Sequence, residues 1–189
     1  ISENATTGAI TTLSSISSTG VTSFDANTLA TEAGTGITTG SGTIYRSSVQ
    51  RVGGIITTRI LIDLTGLRST GSGDIIGVNG TSLVCHIGQI TAAQNGTILT
   101  GSMECFEAPA GGDPDINVHS ATEGTGVEDG AIADLTETLL VNAGDATLGS
   151  KVYFSAVPAA DEFLYLTTGD ATDADYTAGK LFIEMMGYA

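Results

Sequence analysis

The chain has no tryptophan, three prolines, two cysteines and only six basic residues to set against 21 acidic ones. Each scarcity removes a class of function. With aromatics at 5%, the flat ring platforms of a carbohydrate groove or a base-stacking surface are hard to build. A formal charge of −15 repels a phosphate backbone, so nucleic acid is not an expected partner. No apolar run approaches the roughly 20 residues of a membrane-spanning helix, and no membrane partner is expected. Residues 1–20 are rich in Ser and Thr and show neither the basic start nor the apolar stretch of a signal peptide.

What is abundant points to β-structure. Hydrophobic residues make up 41% of the chain and there are 26 glycines. The apolar share is enough for a packed core, and glycine among Thr, Ser, Ile and Val suits short strands joined by tight turns. Residues 1–43 contain no Lys or Arg and only scattered apolar positions, among them Leu13, Ile16, Val21 and Phe24. Such a stretch cannot form a core alone; it reads either as a disordered tail or, as the spaced apolar residues favour, as an extended arm that plugs pockets on a neighbouring subunit. Residues 44–189 read as the β-rich body, with a sub-lobe boundary possible in the Gly- and Asp-rich stretch 107–129.

Within the body, 55–63 (IITTRILID) is the clearest strand, bounded by Gly53-Gly54 and Gly66. Asn79-Gly80 predicts a hairpin between 74–78 and 81–87, and Asn95-Gly96 a second turn before 97–106. If 83–87 and 99–105 pair across a three-residue turn, paired numbers sum to 190 and Cys85 faces Cys105. A two-residue turn would put the two apolar sets on opposite faces. The two cysteines are therefore expected as cross-strand neighbours and read as small core residues; their redox state is left open. Ile132, Leu135 and Leu139 recur at helical spacing over 131–141, with Asp129 as a possible cap. Residues 151–157, 163–167 and 180–188 read as strands, the last pairing inside the sheet.

No catalytic constellation emerges. His86 and His119 lie 33 positions apart, and the expected register turns His86 away from the cysteines, so no four-ligand zinc site forms. Asp113-Pro-Asp115-Ile-Asn117 has the alternating oxygens of a calcium loop, but Val118 stands where that loop needs glycine and Gly124 where it needs glutamate. With Asp170, Asp173 and Asp175 it reads as solvated acidic loop. There is no nucleophile elbow. Gly71-Ser72-Gly73-Asp74 lacks the lysine of a phosphate loop. Asn4, Asn79 and Asn95 fit the glycosylation triplet, although the last two are better explained as turn residues. No catalytic, metal or cofactor-binding residue is assigned.

All four arginines, Arg46, Arg51, Arg59 and Arg68, fall within 23 residues, while the chain from 101 onward carries 16 acids and two lysines. A basic island on an acidic body suits either ion pairs with acids of the same chain or head-to-tail contact between subunits, the second favoured by the segregation of charge along the chain, with the planar guanidinium meeting carboxylates.

Two segments, 42–67 (GTIYRSSVQRVGGIITTRILIDLTGL) and 163–188 (FLYLTTGDATDADYTAGKLFIEMMGY), carry a resemblance in texture and order to small virion structural proteins of short-tailed phages of marine bacteria. The resemblance implies a capsid decoration or cement protein on the outer capsid surface, made in the host cytoplasm and bound to the major capsid protein. It transfers no functional residue. The combined expectation is a mostly β chain: an antiparallel β-sandwich or β-barrel with one short helix and an extended N-terminal arm. It works without chemistry as a homo-oligomer, guessed to be a trimer, with Leu13, Ile16, Val21, Phe24, Arg46, Arg51, Arg59 and Arg68 as partner contacts. The alternative from another class is a host- or glycan-binding module of a phage fibre or bacterial surface, using the Tyr/Asp cluster at 173–176.

Overall fold

The structure, a computed structural model, describes residues 32–80 and 82–189. In chain order its elements are α1 (Thr35–Thr38), β1 (Ile44–Val52), β2 (Ile55–Asp63), β3 (Arg68–Ser69), β4 (Gly88–Gln89), α2 (Ala92–Asn95), β5 (Thr97–Ala110) and β6 (Ile116–Ala121). A 3-10 turn (Ile132–Asp134) follows, then β7 (Glu137–Val141), β8 (Lys151–Tyr153), β9 (Phe163–Thr168), β10 (Ala174–Asp175) and β11 (Ala178–Tyr188). They form a five-stranded sheet ordered β1-β2-β11-β5-β8, a four-stranded sheet ordered β4-β9-β6-β7, and a short β10-β3 ribbon. Every pairing between named strands is antiparallel. The chain is therefore mostly β, as its composition implied.

The two sheets share one core. Ile60 and Ile62 of β2, Met103 and Cys105 of β5, and Leu181, Ile183 and Met185 of β11 come from the first sheet. Val118 of β6, Leu140 of β7, and Leu164 and Leu166 of β9 come from the second, and all belong to a single buried cluster. This is a sandwich-like arrangement, and the stretch 107–129 crosses between layers without dividing the core. Each such aliphatic side chain contributes about 1.5–3 kcal/mol through removal from water.

The β1–β2 hairpin closes over Gly53-Gly54 in the register Val52↔Ile55, with Gly53 at φ 61, which suits the twist of a two-residue turn. Strand β2 occupies the span read from its β-branched run, and β11 lies inside the sheet between β2 and β5.

Four expectations are corrected. Residues 74–78 and 82–87 do not pair with one another. Ile75 bridges Thr167 and Val84 bridges Val127, so Asn79-Gly80 turns the chain between segments that serve different neighbours. Cys85 and Cys105 are not cross-strand partners: Cys105 pairs with Leu181, and the Cys85 amide bonds to the Gly126 carbonyl at 2.8 Å. Asn95-Gly96 ends a short helix. The Asn95 side chain is buried, accepting from Thr91 N and donating to Thr58 Oγ1, both at 2.8 Å. Lastly, 131–141 is a 3-10 turn followed by β7, and Asp129 sits in a left-handed turn at φ 63. Thr136 and Thr138 are β-branched, and edge pairing against β6 outweighs a weak helical spacing.

The packed body also begins before residue 44. Gly34 N and Gly36 N donate to the carbonyls of His86 and Val84, each at 2.8 Å, and Ile37 is fully buried. A Cβ at Gly34 would lie 2.1 Å from the Val84 carbonyl oxygen, and one at Gly36 2.4 Å from the Cys85 sulfur; only glycine permits this approach. Substituting Ile37→Ala should therefore lower unfolding free energy by about 2–5 kcal/mol, read as a reduced urea midpoint with an unchanged slope. A midpoint within error of wild type would remove α1 from the core.

Candidate functional site

The largest surface feature is the outer face of the five-stranded sheet. Alternation along β2 sends Ile56, Thr58, Ile60 and Ile62 inward and Ile55, Thr57, Arg59 and Leu61 outward. The register then sets Leu61 beside Phe182, Arg59 beside Glu184, Thr57 beside Met186 and Ile55 beside Tyr188. On the flanks, β1 adds Ile44, Arg46, Ser48, Gln50 and Val52, while β5 and β8 add Thr100, Ser102, Glu104, Lys151 and Tyr153. At the irregularity in β5, Phe106 stacks on Phe182 with ring centroids 5.2 Å apart. Eleven large apolar side chains are exposed among the described residues. Seven of them, Ile44, Val52, Ile55, Phe106, Tyr153, Met186 and Tyr188, lie on this face. No described element covers it.

Four of the six cations are here as well, each with an acid nearby or a carbonyl in reach. Arg59 Nε meets Glu184 Oε2 at 2.7 Å, and Lys151 meets Glu104 at 3.4 Å. Lys180 bridges Glu107 and, at 3.4 Å, Asp63. Arg46 donates to the Tyr45 carbonyl at 2.7 Å. Burial alone would raise the Asp63 carboxyl, but hydrogen bonds from Thr65 and from Lys180 hold it below its usual value. Exposed pairs of this kind are worth only ~0–1 kcal/mol, so their main consequence is charge. Arg46, Arg59, Lys151 and Lys180 balance Asp63, Glu104, Glu107 and Glu184. Among the described residues, the other two cations, Arg51 and Arg68, stand against 15 acids, so a charge of −13 lies off this face.

The arginine island accordingly splits. Arg46 and Arg59 are on the face. Arg51 donates to the Ala93 and Gln94 carbonyls at the end of α2. Arg68 is on the β3–β10 ribbon, 2.7 Å from Asp173 and 2.9 Å from Asp175, at the rim of a polar cleft that includes Thr70, Asn79 and Glu128. Arg59 and Arg68 are thus paired within the chain. Leu13, Ile16, Val21 and Phe24 lie outside the described residues. The Tyr/Asp cluster at 173–176 is not an exposed platform: Tyr176 is buried and donates to the Asp113 carbonyl at 2.8 Å.

The acidic loops are also structural, and not fully solvated as read from the sequence. Asp113 is 1% exposed; its carboxylate accepts from Asp115 N at 3.0 Å and Asp170 N at 2.9 Å. Asn117 accepts from Ala143 N at 3.2 Å. Asp115 Oδ1 is buried without a hydrogen-bond partner. Burial, then the nearby charges of Asp113, Asp170 and Asp145, raise the Asp115 carboxyl. Sequence spacing could not have shown this convergence of acids from three loops. Among the described residues no group of three or more such side chains is placed to hold a metal ion. Both cysteines are free and buried, and burial pushes the Cys85 thiol up to about 12, which leaves it a poor nucleophile. His119 Nδ1 lies 2.8 Å from Glu137 Oε2. His86 packs on Phe163, centroids 5.0 Å apart, with Nδ1 buried and unpartnered, and burial lowers its pKa.

Comparison of the chain with protein-family models, curated proteins and solved structures finds no match.

Two pH effects follow, in separate windows. His86 is favoured neutral in the fold, so its contribution is complete above the unfolded value of ~6.5 and is lost as pH falls through its lower folded value. Thermal melts should show stability falling below about pH 6.5, with a shallower slope in His86→Phe; an unchanged slope would mean His86 does not carry the effect. Asp115 has the opposite sign. Its raised folded pKa means that its charge destabilises the fold above that value, a penalty that disappears as pH falls towards ~3.9. Asp115→Asn should raise Tm at pH 7.5 by roughly 2–4 °C, the shift that ~1 kcal/mol makes in a chain of this size. That gain should vanish near pH 4. A gain independent of pH would point to packing in place of charge.

Proposed function

We propose that this chain is a structural subunit that works by associating with other protein subunits, and in particular a decoration protein that binds the major capsid protein on the outside of a phage shell. The observation that carries the reading is the uncovered sheet face, where exposed apolar side chains and balanced charges interrupt a strongly acidic surface. Such a patch on a soluble chain marks an interaction site. The rest of the molecule suits high copy number: net negative charge keeps subunits apart and soluble until they meet their partner. The more particular reading rests on the resemblance in 42–67 and 163–188. Binding would stabilise a shell by burying surface across joints between capsid subunits, with many modest contacts acting together through avidity.

In this reading the segment 1–31, with Leu13, Ile16, Val21 and Phe24, supplies the reach across neighbouring subunits. Because α1 is part of the packed body, the informative truncation begins at Glu32 and leaves Ile37 in place. Full-length protein should cosediment with empty capsids at a stoichiometry matching the lattice, and the chain starting at Glu32 should bind at least about tenfold more weakly. Failure of both versions to cosediment would end the decoration reading. Equal binding by both would remove the segment from the contact.

A further inference from the structure

We propose that the outer face of the five-stranded sheet is occupied by a second copy of this chain, so that the assembling unit is a two-fold dimer in place of a trimer. The inference deepens the association reading above and rests on it.

Charge selects the occupant. Among the described residues, two cations and 15 acids lie outside the face, while on the face four cations meet four acids. Two copies approaching by any other surface bring like charges together, at a cost that a salt-screened surface reduces but does not cancel. Approach face to face brings two neutral surfaces together. A strongly basic partner would gain more from the acidic remainder of the molecule than from this patch.

Size and symmetry agree. Four strands spaced ~4.8 Å, with about nine residues rising ~3.3 Å each, and the three residues of β8 define a face of about 600 Å². That is at the lower end of the ~600–1,000 Å² that each partner contributes to a standard stable interface. Strand β11 is the middle strand, and Glu184, with Arg59 beside it, stands near the middle of the outward side. A two-fold axis there sets Arg59 of each copy by Glu184 of the other, making a crossed pair of ion pairs from two existing ones. Around this centre lie Val52, Ile55, Met186 and Tyr188 towards one end, and Leu61, Phe106 and Phe182 towards the other. An isologous contact uses one patch twice and closes on itself, which suits a face that is both neutral and apolar.

The test is sedimentation velocity on the full chain over a wide concentration range, alongside the double variant Met186→Glu with Tyr153→Glu. Leu83→Glu, outside the five strands of this sheet, serves as a control. These side chains are exposed, so folding is checked by Tm and should hold. Wild type and the control should sediment as dimers, and the double variant as a monomer with association weakened at least about a hundredfold. A wild-type chain that stays monomeric throughout, or a double variant that dimerises as wild type does, would overturn the inference. So would a monomeric wild type that binds capsids and loses that binding in the double variant, because the face would then belong to the capsid protein. The decoration reading is judged separately by cosedimentation: a dimer that ignores capsids refutes that reading and leaves the dimer standing.

Discussion

The structure depends on the double-sided ladder of β11. That strand, the last in the chain, pairs with β2 over Ile55–Asp63 on one side and with β5 over Thr97–Ala110 on the other. Side chains alternate between faces, so a slip of one residue in either register would exchange Leu181, Ile183 and Met185 for Phe182, Glu184 and Met186. It would bury a carboxylate and expose the core. The same register that seals the core creates the outer face: Arg59 meets Glu184, and Phe106 meets Phe182, only in this alignment. The β2–β11 pairing closes a loop of more than a hundred residues. Contacts so distant in sequence make the sheet slow to complete, and the site exists only once it is complete.

The ion pairs on the face make sense when stability and specificity are separated. A pair such as Lys151–Glu104, exposed and 3.4 Å apart, contributes little to folding. Removing the lysine alone would nevertheless leave a net negative charge on the sheet face. Cations placed along β1, β2, β8 and β11 keep one side of a −15 chain electrostatically quiet. Apolar side chains between them can then be covered without stranding unpaired charge, the outcome that makes buried ions costly.

Local signals were readable where they depended on the chain's own chemistry. The β-branched run Ile55–Asp63 flanked by glycines is a strand, and the apolar terminal segment is internal to a sheet. The glycines of Asn79-Gly80 and Asn95-Gly96 take positive φ, 68 and 67, as turn residues should. Such signals say where the chain turns and not which strands then meet. Cys85 and Cys105 illustrate the gap: parity arguments assume a hairpin, and β5 instead pairs with β11 and β8. Ile37 was assigned to an arm because its neighbours are Thr and Gly, yet Gly34 and Gly36 are what let it reach the core. The outer face of the five-stranded sheet was the least legible feature. Its arginines were visible as a cluster along the chain, but the face is assembled from five strands spread between residues 44 and 188, and only two of the four arginines belong to it.

The abundance of acid has a second use, in holding the loops. With three prolines and 26 glycines, the long connections have little intrinsic stiffness and much backbone entropy to lose. Carboxylates supply the missing anchors. Asp63 accepts from Thr65 N, Asp74 from Gly71 N, Asp113 from Asp115 N and Asp170 N, Glu123 from Thr136 N, Glu128 from Gly80 N, and Glu162 from Ala159 N. Each satisfies a backbone donor that no ladder reaches, with the added strength of an ionised acceptor. Six acids thus hold the fold's own connections, while among the described residues the outer face of the five-stranded sheet is where negative charge is matched by cations.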